Sequence, residues 1–172
     1  MTSNARGAVP LVLTSVPWAD PAGTALRREM FERTNLALYP DGFGHLAAPG
    51  AWEADDTALG LTCVVSLVVT RGGAPVGHAA LRTPDDGAPA GALEVSKVYV
   101  RAEARRTGVA SALLVALEDA ARARGARLLV LGTGPRQPEA AAAYVRHGYA
   151  RIDGYPPYDS YGDALCFGKR LA

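Results

Sequence analysis

The sequence predicts an α+β fold, a mixed sheet with helices packed on it, formed by a single domain over residues 1–172. Three observations predict it. Two β-branched runs flank the turn "RGGAP" and read as a hairpin. A strand–helix–strand–helix–strand succession follows from Leu93 to Lys169. No internal repeat, low-complexity segment or linker interrupts the chain, and 172 residues suffice for one sizeable core.

In chain order, Val9 to Val16 reads as a first strand; it is too short, and too close to Pro10, to be a signal-peptide core. From Asp20 to Leu38, Leu26, Met30, Phe31, Thr34 and Leu38 recur at helical spacing. Pro40 to Asp56, rich in Gly, Pro and Asp, reads as irregular. Leu61 to Thr70 and Val76 to Arg82 are the hairpin strands, and "TPDDGAPAG" is a loop before a strand from Leu93 to Val100. Arg106 to Arg124 is an amphipathic helix with Val109, Leu113, Leu114, Leu117 and Ala120 on one face and Gly125 as its stop. Leu128 to Leu131 is a short buried strand. The helix Pro138 to His147 opens on proline, which is tolerated there. Tyr149 to Ile152 and Leu165 to Lys169 are the last strands.

Composition excludes several classes of function. With 49% apolar and 20% charged residues the chain is an ordinary soluble one. A net charge of +1 gives no bulk electrostatic case for nucleic acid or membrane partners. No apolar run is long enough to span a bilayer. Cys63 and Cys166 have no His or Cys at metal-ligand spacing, so two buried free thiols, no metal and a reducing, cytoplasmic setting are expected. His45, His78 and His147 are dispersed and read as structural.

The stretch "VYVRAEARRTGVASALL" is the most informative. A strand ends at Val100, two arginines arrive together, and a helix begins with glycine in its first turn. Cations are unfavourable at a helix N-terminus, so an anion is expected there. The first amides of a helix lack intrahelical partners and cradle anions, Gly108 admits close backbone approach, and Arg105 and Arg106 add charge-assisted bonds. The rival dinucleotide fingerprint fails, because the third glycine after Gly132 and Gly134 would fall at Gln137.

Arg105-x-x-Gly108-x-Ala110 resembles the pyrophosphate-binding signature of the GNAT superfamily of acyl-CoA N-acyltransferases, after a strand ending in Val98, Tyr99 and Val100. "QPEAAAAYVRHGY" matches a second family signature at Gln137, Ala140, Tyr144, Gly148 and Tyr149; glutamine replaces the usual asparagine, and tyrosine the final phenylalanine. The resemblance covers roughly Val64 to Leu171. The segments Thr133–Tyr149 and Cys166–Leu171 are most similar to small bacterial members. It implies a mostly antiparallel twisted sheet with helices on both faces and acetyl-CoA bound as co-substrate at a splay between two central strands.

The resemblance implies residue roles. Val98, Tyr99, Val100, Arg105, Arg106, Thr107, Gly108, Val109, Ala110, Gln137 and Tyr144 would contact the coenzyme, with a backbone N–H near Val98 or Tyr99 as oxyanion donor. Tyr144 would protonate the leaving sulfur. Strand alternation sets Glu94, Ser96, Val98 and Val100 on one face, with Glu94 either the base, relayed through water, or a strand-end carboxylate in solvent or paired with Arg82. Tyr155, Tyr158 and Tyr161 would border the acceptor pocket. The partner implied is a small-molecule amine, an amino acid or related metabolite, and a homodimer stays open. Acylation of a protein N-terminus or lysine, a CoA-binding module without turnover, and a nucleotide-phosphate binder are the alternatives.

Overall fold

A computed structural model describes residues 9–172. The hairpin and the strands after it assemble into one seven-stranded sheet. β1 (Leu11–Ser15) is followed by α1 (Pro21–Met30), which runs on through a π turn at Phe31–Leu36. Then come α2 (Pro40–Phe43), α3 (Ala51–Gly60), β2 (Cys63–Arg71), β3 (Ala74–Arg82) and β4 (Ala92–Val100). α4 (Val109–Ala123), β5 (Leu128–Thr133), α5 (Pro138–Arg146), β6 (Ala150–Arg151) and β7 (Leu165–Arg170) complete the chain. The strand order is β1-β2-β3-β4-β5-β7-β6. Every pairing is antiparallel except β4 with β5, so the expected mixed, mostly antiparallel sheet is present.

Strand periodicity divides the side chains between two faces. Val65, Leu67, Val69, Leu81, Val95, Leu129 and Leu131 pack with Leu113, Leu114 and Leu117 of α4 and with Tyr144 of α5. On the opposite face Leu26 of α1 meets Val68 and Tyr99, while Val130 and Cys166 meet Tyr155. Cys166 is buried and Cys63 half-buried, and both thiols are free.

Two expectations need correction. Part of the segment read as irregular is the helix α3, which buries only Trp52 and Asp56, too little apolar periodicity to announce itself. The helix expected from Arg106 begins at Val109, because Arg106 and Gly108 take positive φ, 60° and 88°. Gly125 ends that helix at φ 75°, as expected.

Candidate active site

The site begins where β4 and β5 part. Only Ala92, Leu93 and Glu94 pair with Leu128, Leu129 and Val130, although β4 continues to Val100 and β5 to Thr133. Beyond that point the parallel strands splay, leaving a wedge in the middle of the sheet. A bulge in β4 accentuates it: Ser96 pairs with Ala80 and Tyr99 with His78, so two β4 residues stand opposite Ala79 alone. Lys97 carries the bulge at φ 52°. The bulge shifts the strand's alternation. Val98 and Val100 pack against the α4 side, whereas Tyr99 joins Leu26 and Val68 on the α1 side. Glu94 lies among Tyr155 and Tyr158, so the expected sharing of one face by Glu94, Val98 and Val100 does not occur.

At the open end of the splay sits the cradle. Arg105 Nε donates to the Val100 carbonyl at 3.1 Å, tying the loop to the end of β4. Gly108 is the N-cap residue, and no side chain caps the helix; its carbonyl accepts the first helical bond, from Ala112 at 2.9 Å. The amides of Val109, Ala110 and Ser111 therefore lie ahead of the first intrahelical donor. A Cβ on Gly108 would meet nothing within 4 Å, so the space beside that backbone is open. Arg105, Arg106, Thr107 and Gly108 are exposed. Arg71, at the end of β2, donates to Thr107 Oγ1 at 2.6 Å and brings a third guanidinium to the loop. Arg71 was missed in the sequence because the contact spans 36 residues. Free amides, three cations and open space fit the diphosphate of a nucleotide-like coenzyme.

Tyr144 is 9% exposed on the α4 side, with Tyr149 at 5.9 Å and Phe167 at 6.2 Å between ring centroids. Burial raises its pKa to about 12, so the phenol keeps its proton at neutral pH. Gln137 is the N-cap residue of α5 and is half-buried, with no side-chain capping bond.

The floor of the splay holds a buried polar cluster. Glu94 is fully buried and accepts from Arg82 Nε at 2.8 Å, from Tyr155 at 3.1 Å and from Tyr158 at 3.0 Å. Burial pulls Arg82 downward, but the bond to Glu94, the charge of Glu94 and the bond to Asp85 together outweigh that and raise its pKa. Burial, then Glu94, pushes both phenols up. With three donors and no solvent access, Glu94 makes no direct contact with an incoming amine; it anchors Arg82 and the two tyrosines. Tyr155 likewise belongs to the core. Tyr158 is half-buried, and Tyr161 is exposed and touches it edge-on at 6.3 Å.

The far side of the splay is narrowed by aromatic rings. A Cβ on Gly132 would come within 2.6 Å of the Tyr158 ring. Gly134 is approached by Tyr39, whose hydroxyl accepts from the Arg136 amide at 2.8 Å. Arg136 also donates to the Leu38 carbonyl at 2.6 Å. The segment after α1 thus crosses to the loop after β5. At Gly132 and Gly134 aromatic rings lie on the backbone, where a side chain would collide with them.

Behind this wall Arg27 is clamped by Asp56 at 2.7 and 2.8 Å and lies 3.7 Å from the centroid of the Trp18 ring. His78 donates from Nδ1 to the Lys97 carbonyl at 3.0 Å, since a carbonyl only accepts. Nε2 is then the acceptor, facing Arg27 at 3.3 Å and Ser66 at 3.1 Å. Burial lowers the His78 pKa to about 4 and keeps the ring neutral. Among the described residues no cluster of metal-ligating side chains forms, and no helix is long and apolar enough to cross a membrane.

Comparison with known proteins gives this geometry its context. The model of the GNAT acetyltransferase family matches residues 18–149. An IAA acetyltransferase of Azospirillum brasilense is 33% identical over 121 residues, covering 70% of this chain and 72% of that protein. Two solved structures share the fold. The PaiA N-acetyltransferase of Thermoplasma acidophilum, in complex with coenzyme A, has a TM-score of 0.71 at 12% identity, covering 94% of this chain and 99% of its own. The IAA acetyltransferase of Bacillus cereus has a TM-score of 0.67 at 17% identity, covering 94% and 100%. With a splayed β4–β5 pair, an uncapped helix beside it and a family match over most of its length, this chain belongs to the GNAT acetyltransferase family and is an acyltransferase.

Proposed function

We propose that the protein transfers an acetyl group from acetyl-CoA to the amine of a small molecule, an amino acid or related metabolite, by direct attack. The observation that carries this reading is the parting of β4 from β5 beyond Glu94 and Val130, with the uncapped start of α4 at its open end. Acetyl-CoA supplies an activated acyl thioester. The chain's own residues supply the rest. The amides of Arg106 to Ala110 and the side chains of Arg105, Arg106 and Arg71 would hold the diphosphate. The exposed edge of β4 from Val98 to Val100 would hold the arm that carries the thioester, with Gln137 across the groove. An amide near Val98 or Tyr99, where the strands splay, would stabilise developing negative charge on oxygen. Tyr144 holds a proton for the departing sulfur.

Support for a small acceptor comes from Tyr39 and Tyr158, which close onto Gly134 and Gly132 and narrow the groove a peptide would need.

Free CoA thiol released across a panel of amines, amino acids and peptides tests this reading. Thiol release with small amines but not with peptides is expected. Coenzyme binding with no release on any amine would overturn it. Tyr144→Phe should lower turnover by ~10²-fold, a typical general-acid contribution, while acetyl-CoA affinity stays within about twofold. Unchanged turnover would remove Tyr144 from the chemistry.

A further inference from the structure

We infer that Lys97, at the bulge of β4, is the base that takes the proton from the acceptor's ammonium group; this rests on the acetyl-transfer reading above. Four observations carry it. Lys97 sits where the wedge opens, three residues beyond the last β4–β5 pair. It holds φ 52°, a conformation that costs a non-glycine residue about 1–3 kcal/mol and persists only where its surroundings enforce it. Its carbonyl is fixed by His78, the neutral ring on the α1 side.

The second observation is the company of the side chain. The charged groups whose fields act on its amine are Asp55 and Asp56 of α3, Arg27 of α1 and Arg82 of β3. Arg27 and Asp56 are committed to each other at 2.7 Å, and Arg82 to Glu94 at 2.8 Å. Lys97 itself forms no ion pair among the described residues, in contrast with Lys169, the other lysine, which meets Glu118 at 2.7 Å. Arg27, Asp55 and Asp56 belong to α1 and α3, and Leu26 of α1 packs on the sheet face opposite α4.

Third, the chemistry needs a group that Glu94 does not supply, sealed as it is by Arg82 and two phenols. Fourth, Lys97 is half-buried and lies beside the unpaired stretch of β4 where an acceptor would enter. Burial lowers its pKa, partly offset by Asp55 and Asp56, which enlarges the neutral fraction that can accept a proton. The acceptor enters as R–NH3+. The neutral Lys97 amine takes one proton and becomes an ammonium, and the acceptor nitrogen keeps its freed electron pair for the C–N bond. Lys97 returns the proton to water.

Having only two lysines makes the test clean. The ligand-free protein is treated with an amine-directed acylating reagent across a pH series, and the peptides bearing Lys97 and Lys169 are quantified by mass spectrometry. Lys97 should reach half-modification at a lower pH than Lys169. Modification together with Lys169 or later, or none at any pH, would overturn the proposal. In turnover, Lys97→Met and Lys97→Arg should each lose ~10²-fold below the acceptor's own pKa and recover as pH rises through it. A wild-type profile in either folded variant would overturn it too, and should the methionine variant not fold, the arginine variant and the labelling decide. Active wild type with late labelling sinks the base alone. Wild type inactive on every amine, with early labelling, sinks acetyl transfer and the base with it.

Discussion

At the scale of single residues, the α1 side of the sheet is organised by charge buried in pairs. Arg27 is 2% exposed and Asp56 7%, and the fork between them joins α1 to α3. Removing one partner strands the other without water. Asp56→Ala should therefore cost about 3–5 kcal/mol in denaturant unfolding, whereas a change below about 1 kcal/mol would mean the pair is solvated. His78 gives the same face its acid sensitivity. The unfolded chain protonates this residue near 6.5, the folded one near 4, so the unfolded state binds more protons in between. The stabilisation is complete above 6.5 and is lost as pH falls toward 4. It amounts to at most about 3 kcal/mol. Thermal midpoints of His78→Gln should fall less steeply than wild type between neutral pH and about 4.5, and equal slopes would contradict the assignment. None of this was legible in the sequence, where His78 is one of three dispersed histidines and Arg27 one of many arginines; the pairs join residues 29 and 51 positions apart.

At the scale of elements, the decisive feature is how α4 begins. Two positive-φ residues, Arg106 and Gly108, turn the chain sharply and leave the helix uncapped. A β-branched residue resists that conformation by about 1–2 kcal/mol and would also fill the open space beside the amides. Gly108→Val should weaken CoA binding tenfold or more in calorimetry while the fold survives, because no atom lies within 4 Å of the added carbon. Loss of the fold, or unchanged affinity, would count against the cradle. This element was legible because its spacing is local: strand, arginines, glycine and helix follow within a dozen residues. The bulge of β4 was not. Lys97 has nothing in its composition that announces φ 52°, and simple alternation carried through it moved Val98 and Val100 to the wrong face. The helix α3 was hidden for a related reason, since its buried face is one tryptophan and one aspartate.

At the scale of the whole molecule, one sheet with a wedge at its centre offers two approaches. α4 and its cradle border one, and α1, α3 and the tyrosine-bearing loops border the other. The hairpin and the mixed sheet were legible from the residues, because turn signals and strand runs are local; the mostly antiparallel order and the splay came only through the family resemblance, since the failure of two strands to pair beyond Glu94 and Val130 leaves no local signal. The account holds together only if the coenzyme enters from the cradle side. Calorimetric titration of CoA into the wild-type protein and Arg105→Ala tests this most directly. Arg105 donates one bond to Val100 and has guanidinium N–H groups to spare for phosphate. The account predicts measurable binding by the wild type and a Kd raised about tenfold or more in the variant, the loss of one charge-assisted contact. No binding of CoA by the folded wild-type protein, or equal affinity in the two, would contradict it.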